Sequence, residues 1–156
     1  MGTEKPNEHR THEFYTSSGR YVAFHGKYYS YGNTPEFKIT GRSWGMCDCD
    51  GKNEKIYFCR GDFRPAHSIM SHDESMIVAD GNEYIMRITL DNSSMTCTFT
   101  PLTRHASTMS SNFVHPHPSF SRDDRYIVFA TDSGGRDRGN IYLIDLNDKK
   151  EGLNDD

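Results

Sequence analysis

The chain has no long apolar run. Of its 156 residues 34% are hydrophobic, and mean hydropathy is −0.80. No window approaches the roughly 18 consecutive apolar residues of a membrane-spanning helix. The opening stretch MGTEKPNEHR holds no apolar signal core, and its MGTE start misses the serine or threonine of a myristoylation motif. These absences argue against a membrane partner and point to a cytoplasmic setting. Basic tracts are missing too: net charge is −4, and the aromatics follow strand spacing, which argues against nucleic acid. The four cysteines, Cys47, Cys49, Cys59 and Cys97, form no CxxC pair. Cys47 and Cys49 alternate on one expected strand and would face one side of a sheet. A thiol–histidine zinc site is the sharper reading of them; packed, reduced thiols are the plainer one and suit the cytoplasm. A helical domain is excluded, because no stretch sustains apolar residues at i, i+3, i+4 and i+7 over three turns.

What is abundant is turn chemistry. Gly, Ser, Asp, Asn and Thr punctuate short β-rich runs about every 8–12 residues, the pattern of an all-β fold. Three four-stranded antiparallel units are expected, at about 11–62, 63–104 and 105–147. In the first, strands fall at 11–16, 20–25, 44–49 and 55–60, with a long loop over 26–43. The second has strands at 66–71, 75–80, 83–90 and 94–100. The third has 116–121, 125–131 and 140–146 and no fourth strand. Such units in series are blades of a partial β-propeller whose last blade is incomplete. Residues 1–10 are expected to be a disordered N-terminus and 148–156 an acidic flexible tail. A propeller closes with at least about four blades. The expectation is therefore that missing blades complete the ring, or, less favoured, that the chain self-associates.

One column of the repeat carries chemistry. His12, His67 and His117 each stand about ten residues before an apolar run: Tyr21-Val22-Ala23-Phe24, Met76-Ile77-Val78-Ala79 and Tyr126-Ile127-Val128-Phe129. The parallel segments read HEFYTSSGRYVAF, HSIMSHDESMIVA and HPSFSRDDRYIVF, with a polar turn in the same place each time. A side chain in the same slot of successive units points at the same place in the assembly. In a propeller these first strands line the central channel, so the imidazoles meet at its mouth. The bland alternative is that they make structural hydrogen bonds.

His115-Pro116-His117 adds an imidazole at i and i+2, on one side of an extended strand that Pro116 and Pro118 hold straight. Asn112 can bring an amide oxygen to the same centre. Imidazoles plus an oxygen donor suit Mn²⁺, Co²⁺, Ni²⁺ or Zn²⁺ better than Ca²⁺. Lys27, Tyr28, Tyr29, Tyr31 and Lys38 from 26–43, and Arg136 and Arg138 from 132–139, wall the same rim, which makes a polar pocket for an anion. His9, His25 and His72 read as ordinary surface or turn residues, and His105 is left open.

These segments resemble the C-terminal half of oligogalacturonate lyases. The likeness rests on His12-Glu13-Phe14, Arg64-Pro65-Ala66-His67, Leu102-Thr103-Arg104-His105, and the run from Asp123 to Asp132. Its most specific part is His115-Pro116-His117-Pro118-Ser119-Phe120-Ser121. It covers about 11–146. The resemblance implies a seven-bladed propeller that cleaves short pectic oligosaccharides inside bacteria. It also implies a manganese-type ion held by His67, His115, His117 and Asn112, although the family has glutamine at the amide position. His12 then corresponds to a histidine of proton transfer. The family's arginine base, upstream of the H-E-F segment, has no counterpart here.

The chemistry agrees with the residue types. Removing the proton α to a uronate carboxylate builds negative charge that a divalent cation stabilises. His12 can assist departure of O4, and Arg64, Arg104 and Arg136 are candidates to hold further substrate carboxylates. The leading expectation is a metal-dependent lyase that cleaves oligogalacturonates by β-elimination. A non-catalytic TolB-like propeller binding a protein or sugar, and a truncated inactive lyase, are the rivals.

Overall fold

The computed structural model describes residues 8–31, 37–61, 63–108, 114–133 and 139–148. Among these there is no helix. Eleven strands follow in order: β1 Glu8–Tyr15, β2 Tyr21–Tyr31, β3 Phe37–Asp48, β4 Lys55–Cys59, β5 Pro65–Met70, β6 Ile77–Gly81, β7 Tyr84–Asp91, β8 Thr96–Arg104, β9 Ser119–Phe120, β10 Tyr126–Thr131 and β11 Asn140–Asp145. Consecutive strands pair antiparallel as β1–β4, β5–β8 and β9–β11. The molecule is thus an all-β partial propeller, with two four-stranded blades and a three-stranded third. The outer strands of the first two blades meet in a short parallel seam, Phe58↔Thr96 and Cys59↔Cys97. The seam makes one eight-stranded sheet in the order β1-β2-β3-β4-β8-β7-β6-β5.

Burial follows the blade stack. Strand β6 is buried along its whole length, and its run Ile77-Val78-Ala79 is apolar on both faces instead of alternating, with Asp80 following it. Between the first two blades lies a core of Ala23, Trp44, Tyr57, Met70, Ile77, Ala79, Met86 and Ile88. Strand β10 alternates, burying Ile127, Phe129 and Thr131. Beyond it β11 leaves Ile141 76% and Leu143 65% exposed, so the outer face of the third blade is bare in this chain.

The polar turn joining the first and second strands is the same object three times. Gly19, Glu74 and Asp124 hold its left-handed position, with φ of 68°, 59° and 56°. In each copy the amide of that residue donates to the carbonyl three residues earlier, on Thr16, Ser71 or Ser121. The side chain of one turn then caps the turn of the blade before it. Glu74 accepts from Ser18 N at 2.8 Å, and Asp124 accepts from His72 N at 2.8 Å and Asp73 N at 2.9 Å.

Three expectations are corrected. The stretch 26–43 is not an open loop over 26–31 and 37–43: β2 and β3 stay paired to Tyr31↔Phe37, with a register shift between Tyr28 and Tyr29, because Tyr, Phe, Ile and Thr in this stretch are strand formers; residues 32–36 lie outside the described residues. Gly26, which reads as a breaker, allows close packing instead, since a Cβ there would sit 2.2 Å from Ser43 Oγ. Strand β1 begins at Glu8, inside the segment 1–10 expected to be disordered. Strand β9 is two residues long, because Pro116 and Pro118 donate no amide and His117 has φ of 43°.

Candidate metal centre

The histidine column converges. His67 stacks on His117 with ring centroids 3.5 Å apart, and His115 lies 5.6 Å from His67 and 6.0 Å from His117. One ligand atom from each of His67, His115 and His117 falls within 4.8 Å of the others. His12 packs against His67 at 4.8 Å, and His25 stands 5.8 Å behind His12.

Local backbone irregularity aims these rings. In β1 the register slips between Thr11 and Phe14, and in β5 between Pro65 and His67. Each slip is a bulge beside a column histidine, and bulges re-aim side chains. His12 and His117 also occupy left-handed backbone, with φ of 56° and 43°. For side chains other than glycine that conformation costs about 1–3 kcal/mol, and it clusters at functional sites.

Asp80 orders the centre. Its side chain is fully buried. It accepts from His67 N at 2.6 Å, from His67 Nδ1 at 2.9 Å and from His117 N at 3.0 Å. With Nδ1–H committed to the carboxylate, His67 turns Nε2 and its lone pair outward, the usual carboxylate–histidine arrangement behind a metal ligand. Burial pushes the Asp80 carboxyl up, but His67 and the two amides outweigh it and hold the group below its ordinary range. Burial, then the neighbouring His67 ring, lowers both His12 and His117.

The donor set fits a divalent ion. Two nitrogens across one ion at ~2.1 Å each span about 4.2 Å, so the 4.8 Å spread closes with small side-chain rotations. His67 and His115 are half-buried and His117 is exposed, which leaves a side of the cluster open to solvent.

The other expected residues fare differently. Asn112 and Arg136 lie outside the described residues. Arg104 is exposed and held by Glu83, Nε to Oε2 at 2.8 Å. Arg64 is exposed and forms no ion pair among the described residues. His25, which reads as a surface residue, is 3% exposed, and its Nε2 lies 2.6 Å from Ser68 Oγ. His105 is also buried, and its Nδ1 accepts from Ser107 N at 2.9 Å. His72 is a turn residue, as expected, and its Nδ1 lies 2.8 Å from Asp124.

Sequence reasoning missed Asp80, which reads as a turn residue before Gly81 and Asn82. A signal did exist: by repeat position Asp80 corresponds to His25, and each stands behind a column histidine. A cleft of about 710 Å³ lies instead toward the turn end of the blades, among Arg20, Met46, Tyr57, Glu74 and Leu90. None of the clustered histidines lines it.

No protein-family model matches the chain, and no curated protein matches it. Solved structures do. An oligogalacturonate lyase in complex with manganese superposes with a TM-score of 0.69, at 22% identity over 94% of this chain and 38% of that one. An oligogalacturonate lyase from Vibrio parahaemolyticus gives a TM-score of 0.65, at 19% identity over 93% of this chain and 38% of that one. The chain therefore shares the fold of these lyases and spans under two fifths of their length.

Proposed function

We propose that the chain forms the metal-holding part of a propeller lyase that cleaves oligogalacturonates by β-elimination. The observation that carries this reading is the convergence of His67, His115 and His117 within 4.8 Å, with buried Asp80 presenting His67. The similarity to an oligogalacturonate lyase in complex with manganese supports manganese over cobalt, nickel or zinc, and supports an acidic oligosaccharide as the partner.

In this reading His67, His115 and His117 hold the ion, with Asn112 as a fourth donor. When bound, the ion supplies Lewis-acid stabilisation of the charge that develops on the uronate carboxylate. His12, packed on the metal ligand His67, assists departure of O4 by proton transfer. Arg64 and Arg136 are substrate-carboxylate candidates. Arg104 would fill that role only by leaving Glu83. The setting is the cytoplasm.

The test is direct. The purified chain is loaded with Mn²⁺ and given trigalacturonate, and the unsaturated product is followed by its ultraviolet absorbance. Metal content is measured in parallel. Expected is near-stoichiometric Mn²⁺, lost in His115→Ala, and product formation abolished by chelator. Mn²⁺ retention unchanged in His115→Ala would refute the ligand assignment.

A further inference from the structure

A second cavity lies beside the histidine cluster. It measures about 180 Å³ and is walled by His12, His25, Lys27, Arg42, Pro65 and Ala66. It opens between the first two blades, where the β2–β3 hairpin continues past the core.

Its charge arrangement needs explaining. Lys27 and Arg42 are directly opposite each other on β2 and β3, so their side chains share one face. Like charges in that position repel and destabilise a strand pair. Neither side chain forms an ion pair with a carboxylate among the described residues. No acidic side chain lines the cavity. The lining side chains that carry charge are thus both positive.

His25, in the same cavity wall, adds an unmatched ring nitrogen. Trp44 Nε1 donates to Ser68 Oγ at 3.3 Å, and Ser68 Oγ lies 2.6 Å from His25 Nε2. With the Ser68 hydroxyl donating to Nε2, the His25 proton sits on Nδ1. That atom is buried without a partner among the described residues. An N–H that is buried and unmatched costs about 1–3 kcal/mol, and a small turn of the His25 ring that brings Nδ1 to the cavity wall would let an anionic oxygen there satisfy it.

We propose that Lys27, Arg42 and His25 form a carboxylate subsite for a second uronate of the substrate, next to the metal centre. The proposal rests on the lyase reading for the identity of the sugar. One uronate meets the ion. Its neighbour places a carboxylate between Lys27 and Arg42, and His25 Nδ1–H donates to it. This subsite makes the site selective for oligomers over the monomer.

The test uses metal-free protein in chelator, with D-galacturonate, neutral D-galactose and inorganic sulfate as separate probes. Trp44, the single tryptophan, reads binding by fluorescence, because it lies two residues from Arg42 on the same strand face. Expected is saturable binding of galacturonate and none of galactose. Lys27→Met and Arg42→Met should each weaken it roughly 10–100-fold, the worth of one charge-assisted contact. Lys27→Arg and Arg42→Lys should restore it, which separates lost charge from lost folding. Galactose binding as tightly as galacturonate would overturn the subsite, as would full binding in a Lys27→Met/Arg42→Met double variant. Sulfate matching galacturonate would reduce it to an unselective oxyanion site and overturn the uronate assignment. Galacturonate binding retained in a chain that takes up no Mn²⁺ supports the subsite and leaves the lyase reading to fail alone.

Discussion

Replacing Asp80 with asparagine tests the centre most sharply, because it removes charge while keeping shape. The carboxylate accepts three N–H groups: His67 N, His67 Nδ1 and His117 N. Asparagine has one acceptor oxygen and one donor nitrogen. If its oxygen keeps His67, its NH₂ faces the His117 amide, donor to donor. A buried donor without an acceptor costs about 1–3 kcal/mol of folding stability. Metal binding should suffer separately, since losing the carboxylate behind a ligating histidine weakens affinity about 10–100-fold. At metal concentrations near 100 times the parent Kd, bound metal stabilises the fold by about 2.7 kcal/mol. After a tenfold loss the same concentration contributes about 1.4 kcal/mol, and after a hundredfold loss about 0.4 kcal/mol. Thermal unfolding with and without Mn²⁺ reads both terms, and titration calorimetry gives Kd independently. If the variant is less stable yet binds Mn²⁺ within twofold of the parent, Asp80 is a structural post and its role in presenting His67 is wrong.

Three further outcomes are expected. Burial, then His12, holds buried His25 down to about 3, while an unfolded histidine titrates near ~6.5. Below about pH 6.5 the unfolded chain therefore takes up a proton the native state refuses, and stability falls by up to about 1.4 kcal/mol per pH unit. In His25→Gln this part of the acid sensitivity should be missing, and urea midpoints of the two proteins that run parallel between pH 6.5 and 4 would contradict it. Asp124→Ala uncaps His72 N and Asp73 N at a cost of about 1–2 kcal/mol. Amide exchange should then speed up in β9–β11 more than in β5–β8. Trp44→Ala, at a fully buried core position, should cost about 3–5 kcal/mol by chemical denaturation, and a loss below 1 kcal/mol would show that the core reforms around the gap.

Much of the architecture is legible in the residues, because blades are local objects. Each turn of the Gly19, Glu74 and Asp124 kind closes within six residues, and each apolar run sits beside it. The histidine column is legible because the residue type itself repeats. The residues behind the column are not, because His25, Asp80 and Ala130 share a slot and differ in chemistry. Asp80 is recognisable as a partner of His67 only once β5 and β6 are paired across their bulge. The stretch 26–43 misleads for a different reason. Its glycines and lysines suggest an open loop, whereas Gly26 is needed for close contact with Ser43 and the aromatics beside it extend the strands.

The seam between β4 and β8 ties the first two blades into a single sheet, and the third stands as a sheet of its own. His67 belongs to the former, while His115 and His117 precede the latter's first strand. An ion gripped by all three would therefore be a rivet between two sheets that share no strand pairing. Taking up metal would fuse their melting into one event, and stripping it would let the smaller body come away first.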